Sequence, residues 1–312
     1  MNKYYKKEIK KLIKEKNAIL LAHFYQIPEI QDLADYVGDS LALSQKAVKT
    51  DADIIIFAGV KFMAETAKIL NPDKKVLLPD INAGCYLDES CPADEFKKFI
   101  KKYPDHKVVS YINCSTEVKT LSDVICTSSN AIKIVESFPK TQKIIFAPDK
   151  NLGAYVNKKT GRNMVLWDGV CDVHNKLSKE DVLYFKGKYP DAKLVAHPEC
   201  DISVLKLADF VGSTTGMLNY TKKDYAKKYL VATETGVTYQ MKKDSPGKKF
   251  ITVTKDKTKP YNYCPYMKLN TLENLYMCIK NEYPEVILPK EIMEKAKVPI
   301  LRMLEISKKI GC

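Results

Sequence analysis

The sequence predicts an α/β fold of three pseudo-threefold-related, three-layer αβα domains, each with a small parallel sheet of about four strands. Three features support this prediction: a threefold internal repeat, apolar strands without polar alternation, and helical segments between the strands. Strands that are apolar on both faces are typical of parallel sheets covered by helices. Right-handed crossovers then connect successive strands. The expected domains are residues 1–84 with 270–312, residues 85–170, and residues 171–269.

The repeat consists of three blocks that recur in register. The first block reads LLAHFY, VVSYIN and LVAHPE, the second reads ADYVGDS, SDVICTS and ADFVGST, and the third reads IIIFAG, KIIFAP and KYLVAT. In every copy, 17 residues separate a polar residue of the first block from a hydroxyl residue of the second: His23 from Ser40, Tyr111 from Ser128, and His197 from Thr214. Each copy then closes at a single cysteine: Cys85, Cys171 or Cys264.

The elements follow in order along the chain. The basic segment at residues 1–17 predicts an amphipathic helix with Tyr5, Ile9, Leu12 and Ile13 on one face. The first copy then alternates the strands LLAH, YVG, IIIFAG and KVLLP with helical stretches, and the other two copies repeat this alternation. After Cys264, the segments LNTLENLYMCIKNEYP and KEIMEKAKVPILRMLEISKKIG predict two helices that pack back on the rest.

Composition restricts the class of protein. The formal charge of the 312 residues is +13, but the lysines are spread along the chain and alternate with acids, which predicts a solvated surface and no nucleic-acid partner. No apolar run approaches the ~20 residues that span a bilayer, so no membrane partner is expected. The basic N-terminus lacks the pattern of an export signal, and the expected location is the cytoplasm. Nine cysteines without a CxxC pair favour reduced thiols over a disulfide framework.

Polar side chains are expected at the carboxyl ends of the strands, where ligands gather in parallel α/β sheets. The first strands end with His23 and Tyr25, Tyr111 and Asn113, and His197 and Glu199, and the second strands end with Ser40, Ser128 and Thr214. If the three domains turn these ends toward one axis, the nine residues line one cavity suited to a small polyanion. The alternative for each hydroxyl residue is a simple helix N-cap, and for each histidine a structural role.

The three cysteines that close the copies predict one metal centre on the pseudo-threefold axis. Three thiolates suit zinc or three irons of a [4Fe–4S] cluster whose fourth iron stays open, and the residues alone do not choose between them. An open iron is a Lewis acid that assists loss of water. The alternative is that these cysteines are core residues, which is the expected role of Cys126, Cys200 and Cys278. Cys91 and Cys114 lie outside the pattern.

Over nearly its full length the sequence resembles the quinolinate synthase family, also called the quinolinate synthetase A family. The matching motifs include AHFYQ and GDSL in the first copy, SYINCS, CTSSNA and PD-NLG in the second, and C-VH, AHPEC, GST-GM, ETG and CPYMK-NTL in the third. The resemblance implies condensation of iminosuccinate with dihydroxyacetone phosphate to quinolinate, phosphate and water in NAD biosynthesis. An aspartate oxidase or dehydrogenase is the implied supplier of the imine. Only Cys264 occupies the region where some members carry CxxCxxC, so no redox switch through that motif is expected.

The resemblance also implies roles for individual residues. A [4Fe–4S] cluster is expected on three cysteines: Cys85, Cys171 and Cys264. Substrate is expected on eight residues: His23, Ser40, Tyr111, Asn113, Ser128, His197, Glu199 and Thr214. Glu199 is the expected general base, with His23 and Tyr25 as acid–base partners, and Ser128 and Thr214 are expected to hold substrate carboxylates. His174 is left open between orienting the cluster loop, lining the cavity and a structural role.

Three other functions fit the residues less well. A different open-cluster dehydratase would use the same three cysteines. An iron–sulfur sensor that binds nucleic acid would require a basic face or a base-contacting element, and the sequence has neither pattern. A zinc-binding scaffold would require zinc in place of iron.

Overall fold

The computed structural model describes residues 2–255, 262–309 and 311, and its framework is three four-stranded parallel sheets. Each sheet has the same strand order, in which the first strand of the unit lies between the second and the third and the fourth lies at the edge. All strand pairs within the sheets are parallel. The predicted α/β class with three small parallel sheets is confirmed.

The elements are named in chain order. The first unit contains α1 (Asn2–Glu15), β1 (Ala18–His23), α2 (Pro28–Gln31), β2 (Tyr36–Gly38), α3 (Ser40–Val48), β3 (Ile54–Ala58), α4 (Lys61–Leu70) and β4 (Lys75–Leu77). The second contains α5 (Tyr86–Glu89), α6 (Ala93–Ile100), β5 (Lys107–Tyr111), α7 (Thr116–Thr120), β6 (Val124–Cys126), α8 (Ala131–Glu136), β7 (Ile144–Ala147), α9 (Lys150–Thr160) and β8 (Val165–Leu166).

The third unit contains α10 (Asp172–Asn175), α11 (Lys179–Lys188), β9 (Lys193–Ala196), α12 (Ile202–Leu205), β10 (Phe210–Val211), α13 (Thr214–Lys223), β11 (Lys228–Ala232), α14 (Val237–Asp244) and β12 (Lys249–Thr252). A 3₁₀ turn (Met267–Leu269), α15 (Leu272–Asn281) and α16 (Lys290–Lys309) follow.

Each sheet is buried on both faces because neighbouring residues of its central strand enter different apolar clusters. In β1, Leu20 packs with Ile9 on one side while Leu21 faces the opposite cluster. The same division separates Val108 from Val109 in β5, and Leu194 from Val195 in β9. Two-sided burial explains why these strands lack the polar alternation of a half-exposed sheet.

A hydrogen-bond pair made by the aspartate of the second block repeats in all three units. Asp35 accepts a hydrogen bond from the backbone N–H of Leu20 at 2.8 Å, and its own N–H donates to the Leu20 carbonyl. Asp123 and Asp209 make the same pair of bonds with the first strands of their units. The carboxylate therefore fixes the turn that returns the chain from helix to sheet, and it accounts for the aspartate shared by ADY, SDV and ADF.

Two helices extend the repeat beyond the sequence prediction. The helices α6 and α11 each precede the first strand of their unit, as α1 does in the first unit. They were missed, although the segments KKYPDHKVV and GKYPDAKLV match each other and mark the same helix-to-strand turn. The predicted apolar face of α1 is confirmed, because Ile9 is buried and Leu12 packs beside it.

The terminal helices join units together. Leu272 and Leu275 of α15 pack in the cluster that contains Leu20 of the first unit. The α16 residues Ala296 and Ile300 belong to an apolar cluster shared by the first and second sheets. Because α16 contacts both units, the division at residues 84/85, 170/171 and 269/270 stays a prediction. No helix in the described ranges has the length and apolar character to cross a membrane.

Candidate active site

One buried cavity lies where the carboxyl ends of the three sheets meet. Its walls include all twelve residues that the sequence predicts for the site: His23, Tyr25, Ser40, Cys85, Tyr111, Asn113, Ser128, Cys171, His197, Glu199, Thr214 and Cys264. The cavity has a volume of about 60 Å³, and every unit contributes to it. The geometry brings these residues together; that they bind substrate or a cluster stays a prediction.

The three cysteines have equivalent local settings. Cys85 and Cys171 each stand directly before a short helix, and Cys264 lies just before the 3₁₀ turn. In each case the sulfur accepts hydrogen bonds from backbone N–H groups two or three residues later. The donors are Leu87 and Asp88 for Cys85, His174 for Cys171, and Tyr266 and Met267 for Cys264. The thiols of Cys85 and Cys264 also interact with each other, as do those of Cys171 and Cys85.

The donor set fits an iron–sulfur cluster bound through three cysteines. Burial raises the pKa of the Cys264 thiol to about 11 and raises those of Cys85 and Cys171 still further above the ordinary value. A buried thiolate therefore needs nearby positive charge, and soft metal centres supply it. The N–H groups directed at the sulfurs are the kind of contact that tunes the potential of such a cluster.

Two of these cysteines are held in place by buried acids that sequence reasoning missed. Asp149 accepts the backbone N–H of Cys171 at 3.3 Å, and Glu234 accepts the backbone N–H of Cys264 at 3.2 Å. Glu234 in turn forms an ion pair of 2.9 Å with Lys268, and the Lys268 ammonium donates to the carbonyl of Tyr25. The only sequence signals for these acids were the PD-NLG and ETG motifs, which carried no assigned role.

Glu199 stands at the centre of the cavity's hydrogen bonds. Its Oε1 accepts from the Tyr111 hydroxyl at 2.5 Å, and its Oε2 lies 3.0 Å from Nδ1 of His174. Burial works against ionisation of the Glu199 carboxyl, but its interactions with His174 and His197 and these hydrogen bonds outweigh it and hold the pKa below its ordinary value. The side chain is therefore a carboxylate at neutral pH.

The two predicted site histidines are neutral. Burial lowers the pKa of His23 to about 4 and that of His197 to about 3. His197 Nε2 lies 3.2 Å from the Ser128 hydroxyl, and His23 Nδ1 accepts the backbone N–H of Tyr25 at 3.1 Å. Neutral imidazoles can donate or accept a single hydrogen bond, but they bring no positive charge to an anionic ligand.

His174 connects two groups of site residues. Its Nε2 lies 2.9 Å from the Thr233 hydroxyl, which is 2.9 Å from the hydroxyl of Tyr25. Its Nδ1 lies 3.2 Å from the sulfur of Cys171 as well as close to Glu199. His174 thus lines the cavity and contacts a cysteine, and Thr233 was missed because nothing in the KYLVAT block distinguishes it from a strand residue.

The N-cap alternative is wrong for the predicted hydroxyl residues. Asp39 and Ser213 are the N-caps of α3 and α13, where their side chains accept from Ala42 and Gly216 N–H groups. Ser40 and Thr214 are therefore the first helical residues, and both line the cavity, where the Thr214 hydroxyl donates to that of Tyr25 at 3.4 Å. In the second unit the cap position belongs to Asn130, and Ser128 precedes it by two residues.

Hydroxyl groups also connect the three units near the site. Ser129 donates to Asp39 at 2.7 Å and lies 2.8 Å from the Ser213 hydroxyl, so one residue joins three units. Nearby, the side-chain oxygen of Asn113 is buried without a hydrogen-bond partner. A buried unpaired acceptor on a cavity wall is the position where a ligand donor would be expected.

Comparison with known proteins places this architecture among enzymes of one family. The family model described as "Quinolinate synthetase A protein" matches residues 7–305. A protein named quinolinate synthase from Gloeothece citriformis (strain PCC 7424) is 57% identical over 300 residues, covering 96% of this chain and 93% of the relative. Proteins of the same name from Synechocystis sp. (strain ATCC 27184 / PCC 6803 / Kazusa) and Chloroherpeton thalassium (strain ATCC 35110 / GB-78) are 57% and 55% identical, each covering 96% of this chain and 94% of the relative.

Proposed function

This chain belongs to the quinolinate synthetase A family, and we propose that it is a quinolinate synthase of NAD biosynthesis. The proposed reaction condenses iminosuccinate with dihydroxyacetone phosphate and releases quinolinate, one phosphate and two water molecules. The observation that carries the proposal is the cavity in which the three cysteines that close the copies of the repeat lie beside the polar strand ends of all three units. In this proposal an aspartate oxidase or dehydrogenase supplies the imine.

The cofactor of the proposal is a [4Fe–4S] cluster held by Cys85, Cys171 and Cys264. When bound, it supplies an iron with an open coordination position that acts as a Lewis acid in loss of water. The support is the donor set: three partly buried thiols, one at the end of each copy of the repeat, each with backbone N–H donors directed at the sulfur.

In this proposal, uncharged hydrogen-bond donors bind the substrate anions. Ser40 and Thr214 lie in the first turns of α3 and α13, where backbone N–H groups without helical partners favour carboxylates. Ser128 adds a third hydroxyl, whereas the Tyr111 hydroxyl already donates to Glu199 and the unpaired Asn113 oxygen is placed to accept from a substrate hydroxyl or N–H group. His23 and His197 contribute hydrogen bonds and no charge, because burial keeps both rings neutral.

Proton transfer is assigned to Glu199. The reaction requires removal of protons from carbon atoms next to a carbonyl or imine group, and Glu199 is an ionised carboxylate on the cavity wall. Tyr25 is the proposed acid, because its hydroxyl connects through Thr233 and His174 to Glu199 and can be reprotonated along that path. His23 Nδ1 accepts the Tyr25 N–H and so orients the same loop.

The direct test is product formation by the anaerobically purified, iron-loaded protein supplied with iminosuccinate and dihydroxyacetone phosphate. Quinolinate, identified by chromatography and mass, is the expected product. Its absence from a protein that carries a full cluster would refute the proposed function.

A second measurement tests the general base. We expect Glu199→Gln to lower kcat by about 10²–10⁴-fold, the usual contribution of general acid–base catalysis. The exposed Glu294 provides a matched Glu294→Gln control that should keep wild-type turnover. Wild-type turnover in Glu199→Gln would remove the assignment.

A further inference from the structure

The surroundings of Cys171 contain a second possible ligand set. One sulfur, one imidazole nitrogen and one carboxylate oxygen, from Cys171, His174 and Glu199, all lie within 4.8 Å of one another. His174 Nδ1 is 3.2 Å from the sulfur and 3.0 Å from Glu199 Oε2. His174 and Glu199 are almost fully buried, each with 2% of its surface exposed. Among the described residues this is the one group of histidine, cysteine and acidic side chains close enough to share an ion.

These separations are close to those of zinc ligands. With Zn–S of about 2.3 Å and Zn–N or Zn–O of about 2.0–2.2 Å, tetrahedral angles put neighbouring ligand atoms roughly 3.3–3.6 Å apart. The atoms around His174 Nδ1 need to separate by only a few tenths of an ångström to admit the ion. Cysteine, histidine and carboxylate are all common zinc ligands, whereas the carboxylate does not belong to the three-thiol set of the cluster.

The outer contacts of His174 also match a metal-bound histidine. If Nδ1 binds the ion, Nε2 carries the proton, and it lies 2.9 Å from the Thr233 hydroxyl. Ligating histidines generally donate their second nitrogen in this way, which fixes the tautomer and the ring orientation. The fourth coordination position faces the cavity, since all three ligands line it.

We propose that the cluster-free protein binds one zinc ion through Cys171, His174 and Glu199, with the fourth position open to the cavity. Zinc bound here occupies the sulfur of one proposed cluster ligand, so zinc and the cluster exclude each other. That exclusion rests on the proposed function, but zinc binding itself does not. The order in which the protein binds zinc and the cluster therefore matters. Zinc that binds first blocks cluster assembly and keeps Glu199 from taking part in proton transfer.

The test uses cluster-free full-length protein prepared anaerobically with a chelator that is then removed. Zinc affinity is measured by competition with a chromophoric chelator, and Co²⁺ replaces zinc for spectroscopy. We expect one ion per chain and a visible cobalt spectrum of a four-coordinate site with a single thiolate. Thr233→Val, which keeps all three ligands and is a mild change, should weaken zinc binding about 10–100-fold. His174→Ala should weaken it more than Thr233→Val does.

The decisive control is Cys264→Ser, which removes a proposed cluster ligand and no zinc ligand. The proposal requires Cys264→Ser to keep wild-type zinc affinity and to lose cluster assembly. It requires His174→Ala to lose zinc affinity and to keep cluster assembly. Zinc affinity that falls with Cys264→Ser or Cys85→Ser and not with His174→Ala would mean that the three thiols hold zinc, which overturns the proposal. Absence of one-to-one zinc binding in the folded wild type also overturns it. A cluster that fails to assemble in wild type while zinc binds would count against the proposed function alone.

Discussion

At the scale of single residues, the cavity is distinguished by polar groups whose hydrogen bonds are not used up by the fold. Asp39 and Ser213 cap their helices, so Ser40 and Thr214 line the cavity without serving as caps. Folded proteins rarely leave buried polar atoms without partners, so such groups on a cavity wall indicate ligand contacts. The unpaired oxygen of Asn113 is the strongest instance.

Replacing Asn113 tests this interpretation. Asn113→Ala should lower kcat/KM for quinolinate formation by about 2–10-fold, because a hydrogen bond between neutral groups contributes roughly 0.5–1.5 kcal/mol. The stability of the variant should stay close to wild type, since the amide oxygen has no protein partner to lose. Steady-state kinetics and a thermal melt measure the two effects. Asn157→Ala, which removes two hydrogen bonds to the Met164 backbone outside the cavity, is the kinetic control, and its kcat/KM should be unchanged. A normal kcat/KM in Asn113→Ala would contradict the prediction.

At the scale of elements, the same local contacts recur because the three units have the same strand order and the same turns. An aspartate returns the chain to the first strand in every unit, and each cysteine lies at or just before the start of a short turn whose N–H groups point at its sulfur. Elements outside the repeat are attached by local contacts instead. Glu282, which ends α15, accepts from Lys16 at 2.6 Å and from Lys75 at 2.5 Å, so it joins the region after α1, β4 and α15.

The Glu282 contact predicts a pH-dependent contribution to stability. Hydrogen bonds from the two lysines lower the pKa of Glu282 from 4.5 to about 2 in the folded protein. A depressed carboxyl pKa stabilises the fold above the unfolded value, and this contribution is lost as pH falls toward the folded value. The difference in unfolding free energy between wild type and Glu282→Gln should therefore be constant above about pH 5 and shrink between about pH 4.5 and pH 2. Denaturant titrations across this range measure it, and a difference that persists unchanged at pH 2 would contradict the prediction.

At the scale of the whole molecule, no single unit contains the site. The Tyr111–Glu199 bond joins the second and third units, Ser129 joins all three, and Lys268 links the Glu234 carboxylate to the Tyr25 carbonyl of the first unit. Glu234 also accepts the N–H of Cys264. The position of one proposed cluster ligand therefore depends on contacts between units.

Removing the Lys268 ammonium tests the strength of that dependence. Lys268→Met leaves the buried Glu234 carboxylate without its cation, and such a change costs about 3–5 kcal/mol of unfolding free energy. The double variant Lys268→Met/Glu234→Gln should recover part of this loss, because the uncompensated charge is gone. Denaturation of cluster-free protein gives the free energies, and iron content after reconstitution reports on the Cys264 loop. A Lys268→Met protein with wild-type stability and iron content would show that the ion pair does not hold this loop.

The sequence by itself determined the α/β class, the threefold repeat and the polar residues at the strand ends. These properties depend on apolar periodicity and on repeated spacing along the chain, and both can be recognised in the sequence without knowledge of tertiary contacts. It did not reveal α6 and α11. The charged helix α11 has almost no amphipathic pattern, whereas α6 has a clear one with Phe96 buried, and the matching KYPD segments were available for both.

The tertiary structure alone decided which strand-end residues contact each other and which residues from elsewhere join them. Thr233, the Glu234–Lys268 pair and the contacts of His174 depend on how the units are oriented about their common axis. That orientation follows from contacts between residues far apart in sequence, such as Lys268 and the Tyr25 carbonyl across 243 residues, and no local pattern encodes it.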